Sequence, residues 1–225
     1  MSRYNVFKIH QSDREHFCNK LLETSTPNSD FYLLVFLSTL IVTSGLLIDN
    51  LVLLIGGMLV APLLSPILAI ALGIVISDNK LLIRSGKLFF ISFIISFCIS
   101  LLIGIIDSSI AVKDIHLIKI MNPNMFTFFV AVISGLAASF TWVKPNLNET
   151  LPGISITVTL LPPLTALGLT FADQEWLLFS NALKVLCLNV FGIIVSSLIV
   201  FSLMEFYKIK KIVKKVVTAK EKKSK

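Results

Sequence analysis

GGMLVAPLLSP, residues 56–66, sets two glycines and two prolines inside an apolar run long enough to cross a membrane. LPGISITVTLLPPL, residues 151–164, repeats the theme in the second half of the chain. A proline in a helix interior removes one backbone donor and clashes with the preceding turn. In lipid, the carbonyl so freed must be met by protein or by a water-filled cavity. Paired interruptions at corresponding positions therefore point to a binding site near the bilayer midplane.

Composition fixes the setting of these two stretches. Of 225 residues, 55% are hydrophobic and only 15% charged, and the mean hydropathy is +0.88. At about 20 residues per crossing, the apolar runs predict an all-α polytopic membrane protein with six transmembrane helices. They fall at about 31–48, 51–77, 88–106, 125–142, 151–172 and 177–204, making residues 31–205 the transmembrane domain. The second run exceeds a straight crossing, which suits a broken, tilted or re-entrant segment. Residues 1–30 read as a cytoplasmic arm with one short helix, Phe17, Leu21 and Leu22 on one side, ending before Pro27. Their mixed polar character argues against a cleavable signal peptide. Residues 206–225 read as a basic cytoplasmic tail whose apolar side chains recur at helical spacing, a pattern suited to lying on an anionic leaflet or to fixing orientation alone.

Lysine and arginine set the orientation. With the N-terminus inside, seventeen of the 20 bases face the cytoplasm: Arg3, Lys8, Arg14, Lys20, Lys80, Arg84, Lys87, Lys144 and nine lysines from Lys208 onward. Lys113, Lys119 and Lys184 remain outside or near the outer end of the sixth span. The expectation is a multi-pass protein of the cell membrane with both termini cytoplasmic. The net charge of +7 is thereby explained by topology, and no nucleic-acid partner is called for.

Three spans per half force the second half to run inverted relative to the first. LAIALGIVISD at 68–78 and PLTALGLTFAD at 163–173 share A-L-G, four residues and Asp, which aligns Gly73 with Gly168 and Asp78 with Asp173. That alignment needs an insertion to bring Pro62 and Pro66 onto Pro162 and Pro163. Small residues recur every fourth position at Ser92, Ser96, Ser100 and Gly104, at Ala131, Gly135 and Ser139, and at Gly192 and Ser196. This spacing lets helices approach closely in lipid, within the chain or between copies of a homo-oligomer.

Chemistry-bearing residues are few. His10, His16 and His116 lie outside the spans, and neither HExxH nor GxSxG occurs, so no enzyme, metal site or cofactor is expected. Cys18, Cys98 and Cys187 lack the close spacing of metal or redox pairs and read as free thiols. At membrane depth, Asn189 lies near the centre of the sixth span, Ser65 lies between two prolines, and Ser155, Thr157 and Thr159 precede Pro162. An amide in hydrocarbon either ties helices together or faces a wet cavity. Lys184 stands inside the last apolar run with room to snorkel outward. Asp78, Lys80, Arg84 and Lys87 read as a short inner loop, and Asp49 with Asn50 as a tight outer turn.

These blocks resemble the DUF389 family of uncharacterised hydrophobic membrane proteins of bacteria and archaea. The resemblance covers roughly residues 31–204 and rests on TLIVTSGLLIDN at 39–50, IGGMLVAPLLSPILAIALG at 55–73, D-x-x-L-L-x-R-S at 78–85, KPNLNETLPGISITVTLLPPL at 144–164 and LCLNVFGI at 186–193. It implies a shared membrane core and names no substrate.

Two functions fit the residues. One is a small-solute or ion transporter or channel whose site lies between the broken second and fifth spans. Backbone around Gly56, Gly57, Pro62, Ser65, Pro66, Pro152, Gly153, Pro162 and Pro163 would carry binding, with Asn189 as side-chain partner. The other is a non-transporting scaffold or envelope-stress component, embedded in membrane lipids, whose glycines and prolines serve packing.

Overall fold

The described residues form helices joined by turns and short links, because each apolar run must satisfy its own backbone where no water is present. The structure, a computed structural model, describes residues 11–107, 112, 115–119, 121–144 and 160–209. In chain order the helices are α1 (Gln11–Thr24), α2 (Ser29–Leu47), α3 (Leu51–Val60), α4 (Leu64–Val75), α5 (Asn79–Ile106), α6 (His116–Lys119), α7 (Met125–Val143), α8 (Leu161–Ala172) and α9 (Trp176–Leu203), followed by a 3-10 turn at Phe206–Ile209. Among them α2, α5, α7 and α9 are long and apolar enough to cross a membrane, and α3 with α4 makes a fifth candidate crossing. The architecture is thus that of an all-α polytopic membrane protein.

The run expected at 51–77 divides into α3 and α4, bent by 50° across Ala61–Leu63. The third span begins earlier than expected. Asp78 caps α5, its carboxylate accepting from the Lys80 and Leu81 amides at 3.0 and 3.1 Å, so Lys80, Arg84 and Lys87 ride on the first turns of a helix rather than in a loop. Asn50 caps α3 in the same manner, accepting from Val52 and Leu53 at 3.0 and 3.2 Å. Asn124 does so for α7, accepting from Thr127 at 2.7 Å. Each cap meets amides that a helix start leaves without an internal partner.

Lengths recur across the chain. Helices α2 and α7 have 19 residues, α4 and α8 have 12, and α5 and α9 have 28. The turns after α4 and α8 share one hydrogen-bond pattern. Ser77 and Gln174 take left-handed φ values of 52° and 57°, Asp78 donates to the Gly73 carbonyl, and Glu175 donates to the Thr170 carbonyl, both at 2.9 Å. This geometry pairs Asp78 with Glu175 and Gly73 with Thr170, two residues away from the alignment that the A-L-G letters suggest. In the turn register Pro66 meets Pro163 with no insertion, and both occupy the third position of their helices.

Burial is concentrated in α4 and α8. Residues Leu64–Ala69 and Leu161–Thr170 are all buried, whereas α7 turns Met125, Phe126, Phe129 and Ile133 outward, Phe126 being 74% exposed. An apolar exterior around a packed interior is the arrangement lipid requires. Small residues bring the long helices together: a β-carbon on Gly192 would meet Ala131, and one on Gly135 would meet Ile193 and Ser196. Hydroxyl pairs also link helices, Thr39 of α2 with Ser96 of α5 at 2.8 Å and Ser139 of α7 with Ser197 of α9 at 2.7 Å. Every small-residue stripe read from the sequence therefore has contacts inside this chain.

Candidate functional site

The two half-length helices run in opposite directions along α5. Helix α4 turns back into α5 at Ser77 and Asp78, and Gly73 lies against Leu82. Helix α8 runs alongside the other end, with Gly168 against Phe97 and Leu101, and with Leu169 and Ala172 against Gly104. Followed back from these contacts, the first turn of each short helix points toward the middle of α5. At 1.5 Å per residue a 12-residue helix spans about 18 Å, well short of roughly 30 Å of hydrocarbon. Both N-termini therefore end within the bundle.

The prolines start these helices rather than interrupt them. Pro66, Pro162 and Pro163 all stand in first turns, where a missing N–H removes no internal hydrogen bond. Neither first turn has a side-chain cap: Leu63 precedes α4 and Leu160 precedes α8. Each helix N-terminus carries the equivalent of about half a positive charge. Two such ends directed into one apolar interior favour a negative charge or the negative end of a dipole.

The long helices α5 and α9 each pack against both α4 and α8, so they frame this region. Ser92 on α5 and Asn189 on α9 occupy the same position in their 28-residue helices and are both buried. Asn189 is 4% exposed. Ser92 donates to the Leu88 carbonyl at 2.9 Å. The sequence singles out Asn189 by its amide. Ser92 is its positional counterpart, visible only once the two helix starts are known.

The remaining expected site residues separate. Pro62 lies in the bend, half-buried, and its carbonyl accepts from Ser65 Oγ at 3.2 Å. The same hydroxyl donates to the Thr24 carbonyl at the end of α1, at 3.1 Å, so Ser65 faces α1. Gly57 faces α2, where a β-carbon would lie 3.0 Å from Val42 N and 3.1 Å from Ser38 O. Gly56 faces away, with nothing within 4 Å of such an atom. Pro152 and Gly153, like Ser155, Thr157 and Thr159, lie outside the described residues. Thr165 and Thr170, on the buried α8, donate back to carbonyls of their own helix. Lys184 is exposed on α9.

The family described as a domain of unknown function, DUF389, matches residues 58–195, from α3 to beyond the middle of α9. The chain belongs to DUF389. Both half-length helices and the framing positions Ser92 and Asn189 fall inside the matched segment of this DUF389 protein. An uncharacterized protein of Methanocaldococcus jannaschii is 28% identical over 194 residues, which are 84% of this chain and 58% of that relative. The chain thus spans somewhat over half the length of the curated relative it matches. No solved structure matches it.

Proposed function

We propose that this DUF389 protein is a small-solute or ion transporter or channel of the cell membrane, with its site where the first turns of α4 and α8 approach the middle of α5 and α9. On this reading there are six crossings in two inverted halves of three, with α1 and the basic tail on the cytoplasmic side. The recurring 19-, 12- and 28-residue helices and the matching turns at Ser77 and Gln174 support the inverted repeat. One observation carries the site: two short helices of opposite direction, each with proline in its first turn and without a side-chain cap, aimed at one level of the bundle. Half-helices meeting at mid-depth are how inverted-repeat transporters build binding sites. Here the positive ends favour an anion or a polar solute with a negative group. No catalytic step or cofactor is assigned.

The test is flux in vesicles containing the purified protein, with chloride and phosphate in one arm and potassium in the other. Anion flux above that of empty vesicles, lost in Asn189→Leu and Ser92→Leu, supports the reading. Vesicles as tight as empty ones in both arms count against it.

A scaffold function is favoured by a different observation. Ser65, Ser92, Thr165 and Thr170 all satisfy their hydroxyls on nearby carbonyls, and α8 is buried along ten successive residues. That reading expects Asn189→Leu to alter folding or partner capture while leaving permeability untouched.

A further inference from the structure

Helix α1 lies outside the candidate crossings, yet Phe17, Cys18, Leu21 and Leu22 are each no more than 2% exposed. Its partners come from both halves of the chain. From its first turns, Arg14 Nε donates to the Met204 carbonyl at 3.0 Å and its guanidinium pairs with Glu205 at 3.5 Å, at the end of α9. A cation there complements the exposed carbonyls of a helix C-terminus. Phe17 packs its ring 5.3 Å from Phe201 and 5.1 Å from Phe206, and Lys20 lies over Trp142 at the end of α7. From its last turn, the Thr24 carbonyl accepts from Ser65 at the start of α4. Just beyond, Thr26 Oγ1 accepts from Arg84 of α5 at 2.9 Å.

The contacts with the second half are thus made by residues 14–20, and those with the first half by Thr24 at the end of α1 and Thr26 just beyond it. Together they tie the ends of α7 and α9 to the starts of α4 and α5 across one face of the bundle. Among the described residues, helix α1 is joined in sequence to the crossings by the short link 25–28. Ser65 lies beneath it, 4% exposed, one residue before the proline of the α4 first turn.

We propose that α1 is a releasable strap, which holds the two halves together at this face and covers the start of α4 until it undocks. The strap deepens the transport reading, since it would control one mouth of the site, but its position can be measured without any solute. Cys18 is a native reporter of docking, because burial and then the nearby Glu15 charge push its thiol up to about 12 and leave little thiolate near neutral pH.

The experiment uses the full chain in vesicles, with Cys98 and Cys187 replaced by alanine and a water-soluble maleimide as the probe. One protein keeps Cys18; a second carries Cys18→Ala with Ser65→Cys. Each is compared with and without Arg14→Ala, and separately with Phe17→Ala. The expected result is at least tenfold faster labelling of Cys18 and of the introduced thiol in the strap variants, with the size-exclusion profile of the parent. Because Phe17→Ala removes a core ring, Arg14→Ala alone decides if the former fails to fold. Unchanged Cys18 labelling in Arg14→Ala overturns the strap. So does faster Cys18 labelling with no change at position 65, or position 65 labelled equally fast in the parent. A protein that shows the strap yet moves no ion or solute would refute the transport reading alone.

Discussion

Gly168 of α8 lies so close to Ser100 of α5 that a β-carbon on the glycine would overlap the serine hydroxyl and stand 2.6 Å from Leu101 N and 2.7 Å from Phe97 O. Backbone atoms cannot turn aside as a flexible side chain can. Gly168→Ala must therefore push α8 away from α5, and overpacking of this kind costs about 1–3 kcal/mol. The expected outcome is a clear fall in the thermal midpoint of the purified protein. An unchanged midpoint would mean that the two helices do not meet at this distance.

The adjacent glycines of the opening motif should respond in opposite ways. Gly57 meets the α2 backbone at Val42 N and Ser38 O, whereas Gly56 has open space where a side chain would go. Gly57→Ala is expected to destabilise. Gly56→Ala should be neutral or stabilising by up to about 1 kcal/mol, the helix-propensity difference between the two residues. Thermal midpoints of the two variants, side by side, check the assignment.

Ser77 closes α4 with φ at 52°, a left-handed conformation that costs an L-residue about 1–2 kcal/mol and costs glycine nothing comparable. Ser77→Gly is expected to raise stability, with part of the gain lost to the freer unfolded chain. Asp78→Ala should lower it by about 0.5–2 kcal/mol, because the first amides of α5 lose their cap. If the two substitutions moved the midpoint in the same direction, the turn geometry would be wrong.

The Cys18 thiol gives a pH dependence with a definite sign. Its value rises from 9.0 to about 12 on folding, so the unfolded chain loses this proton first as the pH climbs. The contribution is fully present below about pH 9 and is lost between there and about 12, by at most about 1.4 kcal/mol per pH unit. Alkaline titration of stability should be flatter over this window in Cys18→Ala than in the parent. Equal slopes would place the thiol in water.

Much of the fold is legible in the sequence because lipid imposes few choices. Apolar length marks the crossings, and Pro62 with Pro66 in one run marks the bend at Ala61–Leu63. Other features follow from tertiary geometry that letters do not carry. The start of α5 is hidden because Lys80, Arg84 and Lys87 resemble a loop, although Asp78 caps a helix there. The correspondence of the turns after α4 and α8 is obscured by the A-L-G letters, which match two residues out of step, while the left-handed Ser77 and Gln174 define the turns themselves. Helix α1 reads as an arm because the rings that bury Phe17, at Phe201 and Phe206, come from the far end of the chain. Of the candidate site, Pro66, Pro162, Pro163 and Asn189 are legible as anomalies in hydrocarbon. Ser92 is not, since a serine in a small-residue stripe signals packing equally well.

Water at mid-depth is what the transport account needs and what a packed scaffold forbids. The direct measurement is the reaction of a single thiol at Ser92→Cys or Asn189→Cys, with the native cysteines replaced by alanine, toward membrane-impermeant methanethiosulfonates of opposite charge. The account predicts modification at both positions, faster with the anionic reagent than with the cationic one. No modification of either thiol by either reagent, in protein whose Cys18→Ala parent is folded and stable, would contradict it.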